Sequence, residues 1–283
     1  MRLAILALFL ASAACAQDVE IRTMSFNVRM GLDVVPNRNW PARRELVFRT
    51  IASRRPDLVA LQEDLVFQAR EIRESLGEVW AGVGRGVYTE HVGEFNSILF
   101  RTDRFRLVDD GLFWLSDTPD RPATYPKGYP YPRTVVWCLL ECRDEGARGR
   151  RIRVYNTHLP HRGDAREACA DLIARRIEAD QAGERTAVVL LGDFNASVGT
   201  PPIDRLAGDG RLLRDAFRIA ADPGPDHGTR HDFTGVPVWD RIDHILVTPD
   251  VRVDRAEIVE DNEGDLYPSD HYPIFARLRL AGD

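Results

Sequence analysis

Apolar runs that stop abruptly on polar residues recur along this chain, and they define its elements. Val188-Val189-Leu190-Leu191 is a continuous, partly β-branched run of the kind buried on both faces of a sheet, and it closes on Gly192-Asp193-Phe194-Asn195. Leu58-Val59-Ala60-Leu61 closes on Gln62-Glu63 in the same way. From Val19 to Met30 the pattern alternates instead: Ile21, Thr23, Ser25 and Asn27 on one face, Met24, Phe26 and Val28 on the other. Further strands are predicted over 94–101, 107–115, 133–141, 151–158 and 241–247, and a last one, entered through Ser269-Asp270-His271, runs to about Leu280. Helical spacing is confined to a few stretches. Trp40-Pro41 opens one with proline in its first turn, running to about Ser53 with Leu46, Val47 and Ile51 as its buried stripe. Others are predicted over 67–76 and 163–182, with a short one over 201–206. The stretch 116–132, rich in Pro and Tyr, is a long loop of the kind that is functional or mobile.

Many strands with few helices between them imply an α+β fold: two packed sheets flanked by helices, not a doubly wound parallel sheet. The 283 residues, 44% of them hydrophobic, suffice for a substantial core. No linker, repeat or low-complexity tract divides residues 17–283, so they are expected to form one domain.

The first sixteen residues stand apart. Met1-Arg2, the apolar run Leu3 to Leu10 and the small residues Ala11 to Ala16 have the layout of a secretory signal peptide cleaved before Gln17. Cys15 could instead carry a lipid anchor, but Ser12-Ala13-Ala14 lacks the large aliphatic residue expected before such a cysteine. A secreted or periplasmic mature protein without an integral membrane segment is expected. Cys138, Cys142 and Cys169 remain; with no metal-type spacing and no plausible bridge, they read as small buried hydrophobes. The formal charge of −6 argues against tight nonspecific nucleic-acid binding, though not against a hydrolase that touches a few phosphates.

Polar residues close apolar runs at Asn27, Glu63, Asn156 with His158, Asp193 with Asn195, Asp243, and Asp270 with His271. Each alone is an ordinary strand boundary or a satisfied core group. Together they imply one polar rim over a sandwich. Residues two apart in an extended strand exit share a side, which would bring Asp193 and Asn195 into one site. A carboxylate beside a neutral amide suits phosphate chemistry, since one can orient a nucleophile and the other can bond a phosphoryl oxygen without repelling it.

The motifs Ser25-Phe26-Asn27-Val28-Arg29, Leu61-Gln62-Glu63, Asn156-Thr157-His158-Leu159, Gly192-Asp193-Phe194-Asn195, Arg241-Ile242-Asp243-His244-Ile245 and Ser269-Asp270-His271 follow one another in an order that resembles the endonuclease/exonuclease/phosphatase, or DNase-I-like, superfamily. The resemblance implies a four-layer α/β/β/α sandwich and hydrolysis of a phosphate ester by in-line attack of an activated water. It implies Glu63 as the chief ligand of Mg²⁺ (Mn²⁺ as a substitute), with Asn27 and Asp270 supporting that shell. His271 would be the general base, Asp243 its orienting partner, Asp193 the acceptor that aligns the water, and Asn195 and His158 the ligands of the phosphoryl group, with His158 also a candidate acid for the leaving group. Asn156-Thr157-His158-Leu159-Pro160-His161-Arg162-Gly163, with Arg166 behind, is similar to the secreted and deadenylase-like branch, as are Pro132-Arg133 and Gly228-Thr229. That similarity adds Arg133 and His161 as contacts to substrate phosphate; Asn156 is counted with the substrate-binding residues, or else holds the local backbone. Pro160 and His244 depart from that branch's usual residues and put transfer of its substrates in doubt.

The substrate is therefore expected to be a phosphorylated small molecule or a nucleic acid, as a diester or a monoester, with no obligate protein partner. A binding protein that kept the fold and lost the chemistry is the alternative. It predicts decay at the metal or base positions, and none is decayed here.

Overall fold

The alternating face of the first strand shows how the layers are built. In a computed structural model that describes residues 18–281, Met24, Phe26 and Val28 pack under two helices while Ile21 packs into the space between two sheets. The leader expected over residues 1–16 lies outside the described residues.

The chain begins β1 (Val19–Asn27), α1 (Trp40–Ser53), β2 (Leu58–Gln62), α2 (Val66–Leu76), β3 (Trp80–Val83) and β4 (Ile98–Arg101). It continues β5 (Phe105–Trp114), β6 (Thr134–Cys142), β7 (Arg151–His158), α3 (Gly163–Gly183) and β8 (Ala187–Asp193). After α4 (Pro201–Ile203) and a π-helical turn (Asp204–Gly208) come β9 (Arg214–Asp215), α5 (Ala216–Ile219) and β10 (Asp222–Pro223). The chain closes with β11 (Asp243–Val247), β12 (Val251–Ile258) and β13 (Ile274–Leu280). One sheet has the order β10-β12-β13-β1-β2-β4-β3 and the other β5-β6-β7-β8-β11-β9. Among the described residues three apolar clusters fill the gaps: one between the sheets, one under α3, and one under α1 and α2. That is the expected four-layer α/β/β/α sandwich.

β8 shows why the central strands read as continuous apolar runs. Val188 and Leu190 face α3 while Val189 and Leu191 face the other sheet, so no position is left for a polar residue until the strand ends. Helix α1 starts where proline predicts, capped by the Asn39 side chain accepting from the Ala42 amide at 3.1 Å. The three cysteines are free and buried, as small hydrophobes. The predicted strand over 94–101 is shorter, beginning at Ile98, and β3 and β12 were not anticipated. β12 alternates Val251, Val253 and Ala256 with charged residues and slips register between Val253 and Arg255, which blurs its period.

The odd positions of β1 turn polar toward the catalytic end of the inter-sheet gap, and here Asn156 has its place. Its Nδ2 donates to the Leu61 and Ser97 carbonyls at 2.7 and 3.0 Å, and its Oδ1 accepts from Gln62 Nε2 at 2.7 Å. Fully buried on β7, it bonds one sheet to the other and does not line the cavity described below. The expectation that Asn156 touches substrate is corrected: all of its oxygen and nitrogen contacts are structural. Asn156→Ala should lower stability by roughly 2 kcal/mol, because it leaves buried carbonyls and an amide unpaired. Urea unfolding checks this, and an unchanged midpoint would refute the clamp.

Candidate active site

Strand register assembles the centre of the site. β7 runs parallel to β8 and pairs His158 with Asp193; β11 runs antiparallel and pairs Asp243 with Asp193. Neighbouring strands lie about 4.8 Å apart, so these three side chains form a row across the end of the sheet. Gly192 permits the close packing, since a Cβ there would overlap the Thr157 carbonyl oxygen. β1 ends at Asn27 across the gap, and its Nδ2 donates to Asp193 Oδ2 at 3.0 Å and to Glu63 Oε1 at 3.1 Å.

His271, just before β13, donates from Nδ1 to Asp243 Oδ2 at 2.9 Å, and the same oxygen accepts from Thr229 Oγ1 at 2.5 Å. The Nδ1 bond fixes the ring so that Nε2 faces Asp193 Oδ2 at 3.8 Å. His158 Nε2 approaches that oxygen from the opposite strand at 3.5 Å. A guanidinium has only donors, so the 3.1 Å contact from Arg133 Nη1 makes His158 Nδ1 an acceptor and puts the ring proton on Nε2. Arg133 is itself held by Glu94 Oε2 at 2.7 Å and donates to the Tyr129 hydroxyl at 3.2 Å, which contacts His161 Nδ1 at 2.9 Å.

Three functional positions take left-handed backbone conformations without being glycine: Arg29 (φ 54°), Glu63 (φ 59°) and Asn195 (φ 48°). Each such residue costs of order 1–2 kcal/mol, and such strain clusters where side-chain aim matters. At Glu63 the turn breaks β2 and sends the carboxylate back to Asn27 and to the Met30 amide, which donates at 3.2 Å. At Asn195 it lets the residue's own amide donate to Asp193 Oδ1 at 2.8 Å while Nδ2 donates to the Leu159 carbonyl at 2.9 Å. Asp193 and Asn195 thus meet through this left-handed turn, and not through the extended strand exit from which their shared side was expected.

Charges here are strongly displaced. Burial works against ionising Asp193, but the histidines on either side and its hydrogen bonds outweigh it and hold it below the usual carboxylate range. Asp270 goes the other way: burial, then the charge of Glu63, raise it despite His271 and Arg29. Burial disfavours the His271 cation, yet Asp243 and Asp193 override it and push the ring up to about 10. Its neighbour His231, buried and facing His271, is pushed down to about 4.

A cavity of about 650 Å³ opens over this floor. It is lined by Glu63, Asp193, Asn195, His158, Asp270 and His271, by Arg133 and His161, and by Arg29, Arg166, Arg230 and Trp239. All the expected residues except Asn27, Asp243 and Asn156 face it; the first two stand directly behind Glu63, Asp193 and His271. The acids fall into two groups. Asp193, Asp243 and His271 bring ligand-type atoms within 4.8 Å of one another, but the His271–Asp243 hydrogen bond suits a base and its orienter. Glu63 and Asp270 converge on a single cationic nitrogen, Arg29 Nη1, at 3.6 and 3.8 Å. Sequence reasoning missed Arg29, Glu94, Arg230 and Trp239 as members of the site. Arg29 had a signal, its place two residues after Asn27, whereas the other three come from irregular connections.

A family model described as the Endonuclease/Exonuclease/phosphatase family matches residues 24–271. Among solved structures, an endonuclease/exonuclease/phosphatase family protein from Bacteroides thetaiotaomicron is similar at 26% identity, covering 94% of this chain and 99% of that one, with a TM-score of 0.86. The endonuclease/exonuclease/phosphatase from Bacteroides vulgatus is similar at 29% identity over 93% and 100%, TM-score 0.85. A mannosyl-6-phosphatase of Bacteroides thetaiotaomicron is similar at 27% over 91% and 99%, TM-score 0.83. No curated protein matches in a sequence comparison.

The two displaced histidines give a test in the metal-free protein. His271 strengthens the fold below the pKa of an unfolded histidine and loses that contribution as pH rises toward 10, whereas His231 does so above it and loses it as pH falls toward 4. Nitrogen-15 NMR should find His271 still protonated at pH 8 and His231 still neutral at pH 5. Both rings titrating together near 6.5 would contradict this electrostatic picture.

Proposed function

The chain belongs to the endonuclease/exonuclease/phosphatase family, whose members are phosphoesterases, and within it we propose an exported, divalent-metal-dependent enzyme that hydrolyses a small phosphomonoester. The observation that carries this reading is the cavity's charge. Arg133, Arg166 and His161 stand over a floor where His158, Asp193 and His271 converge, within a chain of formal charge −6. Guanidinium groups gathered over one cavity suit a compact dianion, and the net negative charge of the chain disfavours a long nucleic acid. The similarity to a mannosyl-6-phosphatase supports the same substrate size.

The residues fit a divalent cation. Glu63 and Asp270 supply hard carboxylate oxygens and Asn27 stands beside them; burial, and after it the charge of Glu63, raises Asp270, and a bound cation would offset both. Mg²⁺ is the proposed ion, with Mn²⁺ as a substitute. When bound there, it would act as a Lewis acid on the phosphoryl group and offset the carboxylate charge that keeps His271 protonated.

The chain's own groups do the rest. His271 Nε2 takes a proton from water as the water oxygen bonds phosphorus and the ester P–O bond breaks, the departing alkoxide taking a proton from solvent, and Asp243 stabilises the resulting imidazolium through Nδ1. Asp193, held ionised and pinned by Asn27, accepts from the same water and aligns it. His158 donates from Nε2 to a phosphoryl oxygen, and Arg133 fixes its tautomer from behind. The remaining amide hydrogen of Asn195 and the Arg166 guanidinium complete the anion's surroundings.

Hydrolysis of p-nitrophenyl phosphate and bis-p-nitrophenyl phosphate, with Mg²⁺, with Mn²⁺ and with EDTA, tests this reading. The monoester should be preferred and EDTA should abolish turnover, while His271→Ala should lose roughly 10²–10⁴-fold in kcat. Turnover that survives EDTA, or a fully active His271→Ala protein, would refute it. A second test reads stability instead of rate. Arg29→Gln should melt below the parent protein in EDTA and gain more from added Mg²⁺, because Glu63 and Asp270 lose their only close guanidinium among the described residues. Equal melting temperatures would refute the role of Arg29 as counter-ion. Export predicts a mature N-terminus at Gln17, which mass spectrometry of the protein released by its host would show.

A further inference from the structure

Trp239 lines the catalytic cavity yet remains 58% exposed. Val236 and Val238 on the same connection are exposed too, and a run of exposed apolar side chains at the rim of a cavity marks a ligand-binding surface. Its surroundings hold it firmly. The Arg230 guanidinium lies over the ring, with Cζ 4.8 Å from the centroid, and Asp232 Oδ1 accepts from Arg230 Nε at 2.9 Å. The Val238 amide donates to the Arg230 carbonyl at 3.0 Å, and Gly228 has no room for a Cβ because the Trp239 carbonyl packs against it. The whole connection is stitched to the catalytic segment. Arg230 forms a β-bridge with His271, the His231 amide donates to the Asp270 carbonyl at 2.8 Å, and the Tyr272 hydroxyl donates to the Gly235 carbonyl at 2.9 Å. His231 stacks on Tyr272, 4.0 Å between centroids, and so stiffens the base of the loop.

We propose that Arg230 and Trp239 form the platform that selects the organic portion of the substrate, and that this portion is a pyranose sugar. The proposal rests on the phosphomonoesterase reading above. A pyranose presents an apolar C–H face and a rim of hydroxyls. The indole offers the first a flat surface, and the η nitrogens of Arg230, not used by Asp232, offer the second donors. A nucleobase stacks on such a ring as well, so adenosine 5′-monophosphate enters the test as the competing occupant. Arg133 and His161 belong to a different cluster, tied to His158, so phosphate and sugar have separate contacts.

The test compares kcat/KM of the Mg²⁺-loaded enzyme for mannose 6-phosphate, glycerol 3-phosphate and adenosine 5′-monophosphate. The sugar phosphate should be the best of the three. Trp239→Ala should lower the ratio of mannose 6-phosphate to glycerol 3-phosphate at least about tenfold, chiefly through KM, with Trp239→Phe restoring most of it. Arg230→Met should lower the same ratio. Equal losses on both esters would overturn the platform, and a collapse confined to adenosine 5′-monophosphate would overturn the sugar assignment. Failure of the parent enzyme to hydrolyse any of the three would overturn the phosphomonoesterase reading, and the platform with it.

Discussion

Four carboxylates, Glu63, Asp193, Asp243 and Asp270, are drawn to one end of the two sheets and largely out of water. Like charges so placed cannot all be left to themselves, and much of the surrounding structure answers that constraint. Asp243 is matched by His271 and Thr229, Asp193 by Asn27 and two histidines, and Glu63 with Asp270 by Arg29. The protonated state of His271 is the electrostatic result of this crowding. A divalent cation would change every one of these balances at once, which makes charge, more than shape, the natural point of control.

Support for this cluster reaches well behind it. Among the described residues the buried Arg43 on α1 makes no carboxylate pair. Its guanidinium donates to the carbonyls of Val28, Arg29 and Pro268 at 2.5, 2.6 and 2.9 Å. It therefore joins the exit of β1 to the segment leading into Ser269-Asp270-His271. Gln68 on α2 adds a second hold on the Arg29 carbonyl at 3.0 Å. Burial lowers Arg43 to about 10, still far above neutrality, so it acts as a fixed cationic clamp on these carbonyls and on that of Arg38, to which Nε donates at 2.8 Å. Two outer helices thus fix the left-handed turn that aims Arg29 between its two acids.

How much of this was legible in the sequence depended on where each residue sits. Asp193, His158 and Asp243 close doubly buried strands, where apolar runs and their abrupt ends are strong signals, and register alone then places them side by side. Asn156 was correctly found at a strand end but given the wrong partners, because an amide facing substrate and one bonding two sheets look alike in a linear pattern. Glu94, Arg230 and Trp239 lie on irregular connections whose path is decided by tertiary contacts such as the tight packing at Gly228. Glu94 reads in the sequence only as the start of a strand, and no period or motif marks Arg230 or Trp239. β12 was lost for a related reason, since its bulge breaks the alternation that would have announced it.

That division has a physical basis. Proton transfer and charge neutralisation need atoms held to within fractions of an ångström, which strand ends in a packed sandwich supply. Selection of the organic group needs a surface that can vary without disturbing those atoms, which connections supply. The two requirements meet at the β-bridge between Arg230 and His271. Through it the connection bearing Trp239 takes its position from the strand-end segment that carries the base, so a substrate ring held there would be registered against the reacting centre. A loop anchored elsewhere could stack the same ring but could not fix its distance from His271.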